Sequence, residues 1–245
     1  MNRPTILVTG GTRGLGLAIT RRLAREGFRV VATGRRLSPA LEQAMQEAAA
    51  AGQEIHFRSL DLGAREPLHG FVGELTGTFG GLYGLVNNAA VAHDGVLATM
   101  HESQIAELIT VNVTHTLVLT KYALRPMLLA RAGRVVNIAS IIGFTGFNGL
   151  SVYAASKAAL IGFTRSLARE VGRAGITVNA VAPGYLATDM SAGLDAAQRA
   201  AIQRRTPLGR LVTVEEVAGA VAFLCGPDAA GITGTVLTVD GGSTA

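Results

Sequence analysis

Along this chain, short runs of apolar and β-branched residues alternate with longer stretches in which apolar positions recur every three or four residues. The first pattern is that of strands buried on both faces, the second that of amphipathic helices. Strand character falls on residues 4–9, 28–33, 54–60, 82–86, 134–138, 176–181 and 236–239. Helical spacing begins after residue 10, with Leu15, Ala18, Ile19 and Leu23 as its core face, and returns over 39–51, 66–79, 101–113, 114–130, 151–171 and 214–224. Residues 191–210 are rich in alanine and arginine and partly helical, and their place in the order makes 185–210 a lid candidate. Strands separated by helices predict an α/β fold built on a doubly wound parallel sheet, with ligands at the strand C-termini. Without a repeat, low-complexity tract or linker, residues 1–245 are expected to form one domain.

The first strand ends in Gly10-Gly11-Thr12-Arg13-Gly14-Leu15-Gly16, which opens the first helix. Strand, glycine turn and helix make the geometry of a pyrophosphate site in a Rossmann-type fold. Glycines let backbone approach the ligand, and free N–H groups at the helix start attract its charge. Where such a fold keeps an acid for the ribose 2′-hydroxyl of NAD, the second strand here runs into Gly34-Arg35-Arg36. With Arg13 in the turn itself, guanidinium groups suited to a phosphate predict NADP(H) over NAD(H). Asp61, followed by Leu62, and Asn88, followed by Ala89 and Ala90, stand at the ends of the third and fourth strands. They are candidates for the adenosine half, a helix N-cap being the other reading of Asp61.

Proton chemistry is concentrated further on, in Ser151-Val152-Tyr153-Ala154-Ala155-Ser156-Lys157. On a helix Tyr153 and Lys157 share one face, and an ammonium beside a phenol is expected to lower its pKa toward working pH. Lys121 and Lys157 are the only lysines among 22 basic residues, and there are 4 tyrosines. One Tyr-x-x-x-Lys is then expected by chance only ~0.03 times, which marks the pair as a motif. Ser140 lies just past the fifth strand, and Asn112 sits among Ile109, Val111 and Val113, where an amide has to kink the backbone or hold water.

Composition narrows the alternatives. Apolar residues make up 49% of the chain and charged ones 16%, which excludes disorder, and no apolar run has the length of a membrane span. The opening run is too short and strand-like for a signal peptide, and the single cysteine, Cys225, fits a reducing compartment; a cytoplasmic protein is expected. The net charge of +5 suits nucleic acid, a phosphorylated cofactor or an acidic protein partner equally, but no dense basic block accompanies it. The five histidines are scattered, so no metal site is expected, and no Gly-x-Ser-x-Gly elbow points to a hydrolase.

Taken together, Thr9-Gly10-x-x-x-Gly14-x-Gly16, Asn87-Asn88-Ala89, Asn112, Ser140, Tyr153-x-x-x-Lys157 and Pro183-Gly184-x-x-x-Thr188 resemble the motifs of the short-chain dehydrogenase/reductase family over essentially the whole chain. Within it the chain most resembles the 3-oxoacyl-acyl-carrier-protein reductases, through Asp94-Gly95-Val96-Leu97-Ala98-Thr99-Met100, the helix through Ala168-Arg169-Glu170-Val171, and Ile232-Thr233-Gly234 with Asp240-Gly241-Gly242. The resemblance implies a seven-stranded sheet of order 3-2-1-4-5-6-7 and a homotetramer. It implies that Tyr153 protonates the substrate carbonyl oxygen, that Lys157 lowers the tyrosine pKa and holds the nicotinamide ribose, and that Ser140 hydrogen-bonds the carbonyl. Asn112 is implied to anchor a water relay, Asp61 and Asn88 to serve the adenosine half, and Pro183, Gly184, Leu186 and Thr188 the carboxamide side. Ala90 departs from the pattern, where glycine is usual. The implied substrate is a 3-oxoacyl thioester, on an acidic acyl carrier protein or on coenzyme A. Arg131 matches a carrier-docking position, while Ala174 stands at the second such position with Arg173 beside it. Arg165, Arg169 and Arg173 are read as one stripe on the tyrosine helix, either a docking surface or a solvated or subunit-interface face. Two other functions stay open: a dehydrogenase of another secondary alcohol such as a sugar, steroid or polyketide, and a non-catalytic NADP(H)-binding regulator.

Overall fold

The computed structural model describes residues 3–64, 67–186, 200 and 203–245. Seven strands, β1 (Thr5–Val8), β2 (Arg29–Gly34), β3 (Glu54–Ser59), β4 (Gly84–Asn87), β5 (Gly133–Ile138), β6 (Ile176–Pro183) and β7 (Val236–Val239), form one sheet in the order β3-β2-β1-β4-β5-β6-β7. Every pairing is parallel. Ile6 and Val8 of β1, Val30 and Ala32 of β2, and Val136 and Ile138 of β5 join one apolar core, while Leu7, Val31 and Val135 join another on the opposite face. Successive side chains of a strand point to opposite faces, so continuous apolar runs are what a sheet covered on both sides requires. Helices α1 (Gly14–Arg25) and α2 (Pro39–Ala50) and the helix at Val214–Cys225 cover the first face. Helices α3 (Leu68–Phe79), the one at Thr116–Ala130 and the one at Ser151–Val171 cover the second.

Local signals fix several helix starts. Ser38 Oγ accepts from Leu41 N–H at 3.1 Å and Pro39 takes the first helical position of α2, where its missing N–H costs nothing. The helix at Val214–Cys225 opens on a reciprocal cap in which Thr213 and Glu216 satisfy each other's backbone N–H. Pro67 is the N-cap of α3, which therefore starts two residues later than the periodicity suggests, beyond Arg65 and Glu66, which lie outside the described residues. Asp61 is not a helix cap: its Oδ1 accepts from Gly63 N–H at 2.8 Å and closes a tight turn.

Between β4 and β5 the structure departs from the two helices expected over 101–113 and 114–130. Helix α4 (Glu102–Ile109) passes through a π-helical turn, Thr110–His115, directly into α5 (Thr116–Ala130). Asn112 sits in that turn, in keeping with an amide that disturbs the backbone, but the helix bulges there and does not break. After the short α6 (Ile142–Thr145) comes α7 (Ser151–Val171), and Gly172–Ala174 then tighten into a 3-10 turn closed by Gly175 at φ +74°. Arg173 therefore lies past the end of α7, and the expected three-arginine stripe keeps only Arg165 and Arg169 on the helix. Helix α8 (Val214–Cys225) precedes β7. Most of the candidate lid, with Thr188, lies outside the described residues. Among those described, no helix is long and apolar enough to cross a membrane.

Candidate active site

The chain leaves β1 at the point where strand order reverses, between β1 and β4, which is where sheets of this kind open a crevice at their C-terminal edge. The glycine turn there is held from both sides. Asn88 Nδ2 donates to the carbonyls of Thr9 and Gly10 at 2.9 and 3.2 Å, and Thr9 Oγ1 accepts from the N–H groups of Asn88 and Ala89, both at 3.0 Å. On the β2 side, Gly11 N–H donates to Thr33 O at 2.8 Å and Ser38 Oγ donates to Thr12 O at 2.5 Å. A Cβ at Gly16 would fall 2.0 Å from Gly10 O and 2.6 Å from Asn88 Nδ2, so only glycine lets α1 start this close to the turn. Gly10 and Gly14 take φ +63° and +50°, and the space around Gly14 is open.

The structure thus places Gly10, Thr12, Arg13, Gly14, Leu15 and Gly16 in one turn at the start of α1, whose first N–H groups are met by no side-chain cap. Arg35 and Arg36 follow β2 on the same edge and are exposed, and no described residue pairs with either guanidinium. Asp61 and Leu62 end the segment after β3, the carboxylate being tied to Gly63. Asn88, placed by sequence among cofactor contacts, spends its amide nitrogen on the turn itself. Ala90 has ordinary negative φ, so its methyl causes no backbone strain.

The acid–base residues converge on the next strands along the same edge. Lys157 is buried under the crevice and its Nζ donates to Ile138 O, at the end of β5, at 2.8 Å. Its ammonium lies 5.5 Å from the centre of the Tyr153 ring. Ser140, just past β5, stands beside the Tyr153 hydroxyl, close enough to favour its ionised form. The loop that carries Ser140 is braced twice: Ser140 Oγ accepts from Ile142 N–H at 3.2 Å and Ile141 N–H donates to Pro183 O at 3.1 Å. Pro183 ends β6, Gly184 packs against Asp240 where a Cβ would lie 2.8 Å from its Cβ, and Leu186 bridges to Val212.

Burial corrects the expected electrostatics. The charge of Lys157 was to bring the Tyr153 phenol down, yet desolvation dominates and pushes it up to about 12, with the Ser140 hydroxyl opposing. Tyr153 retains some exposed surface, but its hydroxyl is buried. Lys157 itself is driven down to about 8 by burial alone. At neutral pH the pair is therefore a phenol with its proton in place above an ammonium still largely charged.

Asn112 joins this group from below. Its Oδ1 accepts from Val91 N–H at 2.8 Å and its Nδ2 donates to Val91 O at 2.9 Å and to Ser156 Oγ at 3.2 Å. Ser156 Oγ in turn donates to Tyr153 O at 2.8 Å. Ser156 was not among the residues singled out from sequence; its only signal was a small polar residue facing inward beside Lys157. A second group escaped as well. Asn87 Nδ2 donates to Thr120 Oγ1 and Asn137 Oδ1 at 2.9 and 2.8 Å, and Asn137 Nδ2 to Thr164 Oγ1 at 2.8 Å. These fully buried amides tie β4 and β5 to α5 and α7, and only the sheet register makes them neighbours.

Comparison with known proteins agrees with this geometry. Residues 10–244 match the family model described as enoyl-(acyl carrier protein) reductase. The chain is 42% identical over 236 residues to the 3-oxoacyl-[acyl-carrier-protein] reductase FabG of Vibrio cholerae, covering 96% of this chain and 95% of that one. It is 41% identical to FabG of Aquifex aeolicus and 41% identical to FabG of Escherichia coli, in each case over 96% of this chain and 95% of the relative.

Proposed function

The chain belongs to the short-chain dehydrogenase/reductase family, and on that premise we propose that it reduces the ketone of a 3-oxoacyl thioester to the 3-hydroxyacyl thioester with NADPH. One observation carries the chemistry: the Tyr153 hydroxyl, Ser140 and the buried Lys157 ammonium meet at the edge of the sheet that also bears the glycine turn. The residues present fit the cofactor. Bare backbone at Gly10 and Gly14 and the start of α1 accept the pyrophosphate, and exposed Arg35 and Arg36 beyond β2, with Arg13, supply guanidinium groups for a 2′-phosphate. NADPH, when bound, supplies the hydride.

The remaining work belongs to the protein. Ser140 donates a hydrogen bond to the ketone oxygen and holds it against Tyr153. Tyr153, kept neutral by burial, is the general acid: its O–H bond breaks as the proton passes to that oxygen, leaving a phenolate. The Lys157 ammonium offsets the phenolate charge in a poorly solvated site, where such an interaction counts for more than in water. Asn112 fixes Val91 and, through Ser156, the first turn of α7, so the tyrosine is presented at a set height. A carrier-bound thioester is the proposed form of the substrate, with an acidic carrier protein docking near Arg131. Residues 1–245 are proposed to act as one domain, in a homotetramer and in the cytoplasm, where the lone Cys225 stays reduced.

Oxidation of NADPH followed against 3-oxoacyl thioesters, sugars and cyclic ketones, and repeated with NADH, tests the reading. Thioesters with NADPH should give the highest kcat/KM. A sugar or cyclic ketone turned over faster would reassign the substrate, and equal efficiency with NADH would remove the cofactor assignment.

A further inference from the structure

The ketone carbon held by Ser140 and Tyr153 carries two substituents, and both must leave the crevice past the loops that overhang it. Those loops expose large apolar side chains. The segment after β5 presents Phe144 and Phe147, each 51% exposed, and the segment after β4 presents Val96 at 59% and Leu97 at 53%. Exposed apolar side chains gathered at one place mark binding surfaces. Here the groups are tied into one rim. Gly95 N–H donates to Gly149 O at 3.0 Å, joining the two loops through backbone. The Phe147 ring meets Tyr185 edge to face, with centroids 5.9 Å apart and planes at 66°. Tyr185 follows Pro183, whose carbonyl holds Ile141, the neighbour of Ser140. The aromatic pair therefore spans the loops leaving β5 and β6, beside the proposed oxyanion donors. Partial burial and the nearby Asp94 charge hold the Tyr185 phenol above its ordinary pKa, so the pair stays uncharged at neutral pH.

We propose that Phe147 and Tyr185 form the wall on which the acyl chain of the substrate lies, so that extended apolar 3-oxoacyl groups are selected over the shortest one. This rests on the ketoreductase reading above and names the substrate class within it. The occupant follows from position. The rim is continuous with the carbonyl site, and the acyl tail is the apolar substituent that has to pass it. Its thioester arm is interrupted by amides that keep it hydrated, so an unbroken alkyl tail gains more from aromatic surface.

The test is kcat/KM for pantetheine thioesters from acetoacetyl to 3-oxododecanoyl, with the parent protein, Phe147→Ala and Phe147→Leu. Each methylene laid on the wall should raise kcat/KM roughly fourfold until the chain runs past it. Phe147→Ala should cut the long-to-short ratio by about tenfold or more, and Phe147→Leu should restore most of it. Phe147 is exposed, so its loss leaves the core intact, which an unchanged melting temperature would confirm. A flat chain-length profile in the parent overturns the wall while leaving the ketoreductase reading in place. So does a Phe147→Ala loss equal at every chain length, which would reveal a role in holding the loop. Absence of turnover with every thioester overturns the ketoreductase reading and this inference with it.

Discussion

At Lys157 the protein keeps an ionisable group where its surroundings disfavour the charge. Burial lowers its pKa from 10.5 to about 8, a differential of about 3 kcal/mol at roughly 1.4 kcal/mol per unit. Between those two values the unfolded chain binds more protons than the folded one, so this residue makes stability rise with pH. Below about pH 8 the cost of the buried ammonium is fully present. Tyr153 acts in the opposite sense, but only above its unfolded value of 10.0, since its folded pKa is about 12. Buried Cys225 acts in that same opposing sense from its unfolded value of 9.0 upward, its folded pKa being about 12, so the clean window is pH 8 to 9. In it, the melting-temperature difference between Lys157→Met and the parent should shift steadily in favour of the parent as pH rises. A difference that stays constant would mean that Lys157 does not titrate there. Turnover should be lost in Lys157→Met at every pH. Tyr153→Phe should bind NADPH as the parent does and lose turnover by a factor of about 10² to 10⁴, the scale of a positioned general acid. The identity of this pair was legible from the spacing of two residues. The direction of the tyrosine shift was not, because it depends on how deeply the fold buries one oxygen.

Among the elements, those with a local cause were the readable ones. Ser38-Pro39 and Thr213-x-x-Glu216 announce helix starts in the sequence itself, and the buried strands announce themselves as unbroken apolar runs. The π-helical turn at Thr110–His115 has no such signature. It shifts the bonding register of a helix that propensity would continue either way, and what selects it is the match between the Asn112 amide and both polar groups of Val91. Replacing Asn112 with Ala leaves that N–H and that carbonyl without partners, at about 1–3 kcal/mol each. Two such groups lower the melting temperature by about 4–24 °C, at roughly 2–4 °C per kcal/mol for a chain of this size. Asn112→Asp should recover less than half of that, since a carboxylate accepts from Val91 N–H but cannot donate to its carbonyl. Recovery by Asp equal to Asn would show that the carbonyl bond contributes nothing. Asn88 is a related case: as a polar residue at a strand end it is a candidate cofactor contact, and the structure adds a task that sequence does not announce, its amide nitrogen holding the glycine turn.

At the scale of the whole molecule, the alternation of strands and helices revealed the doubly wound class, and family resemblance supplied the strand order. Neither could give the register that sets Asn87 opposite Asn137, or the approach of loops from three different strand ends that builds the aromatic rim. Charge is likewise a property of the assembled surface. The chain is net +5, and at the far end of α5 Arg131 takes φ +51°, reaching back so that its guanidinium donates to Arg173 O at 3.0 Å. That bond holds one cation at an exposed corner and brings Arg173 beside it, although Arg173 stands off the helix that carries Arg165 and Arg169. A fixed cation pair at a corner suits an acidic carrier protein, and exposed charges of this kind govern encounter and its salt dependence more than contact energy. Arg131→Glu should accordingly raise KM for a carrier-bound 3-oxoacyl substrate by about tenfold at low salt, with the difference narrowing as ionic strength rises. The same acyl group on pantetheine, which never meets that corner, should show unchanged KM and kcat. An equal rise for both substrates would place the effect in the fold of the α5 terminus and remove Arg131 from docking.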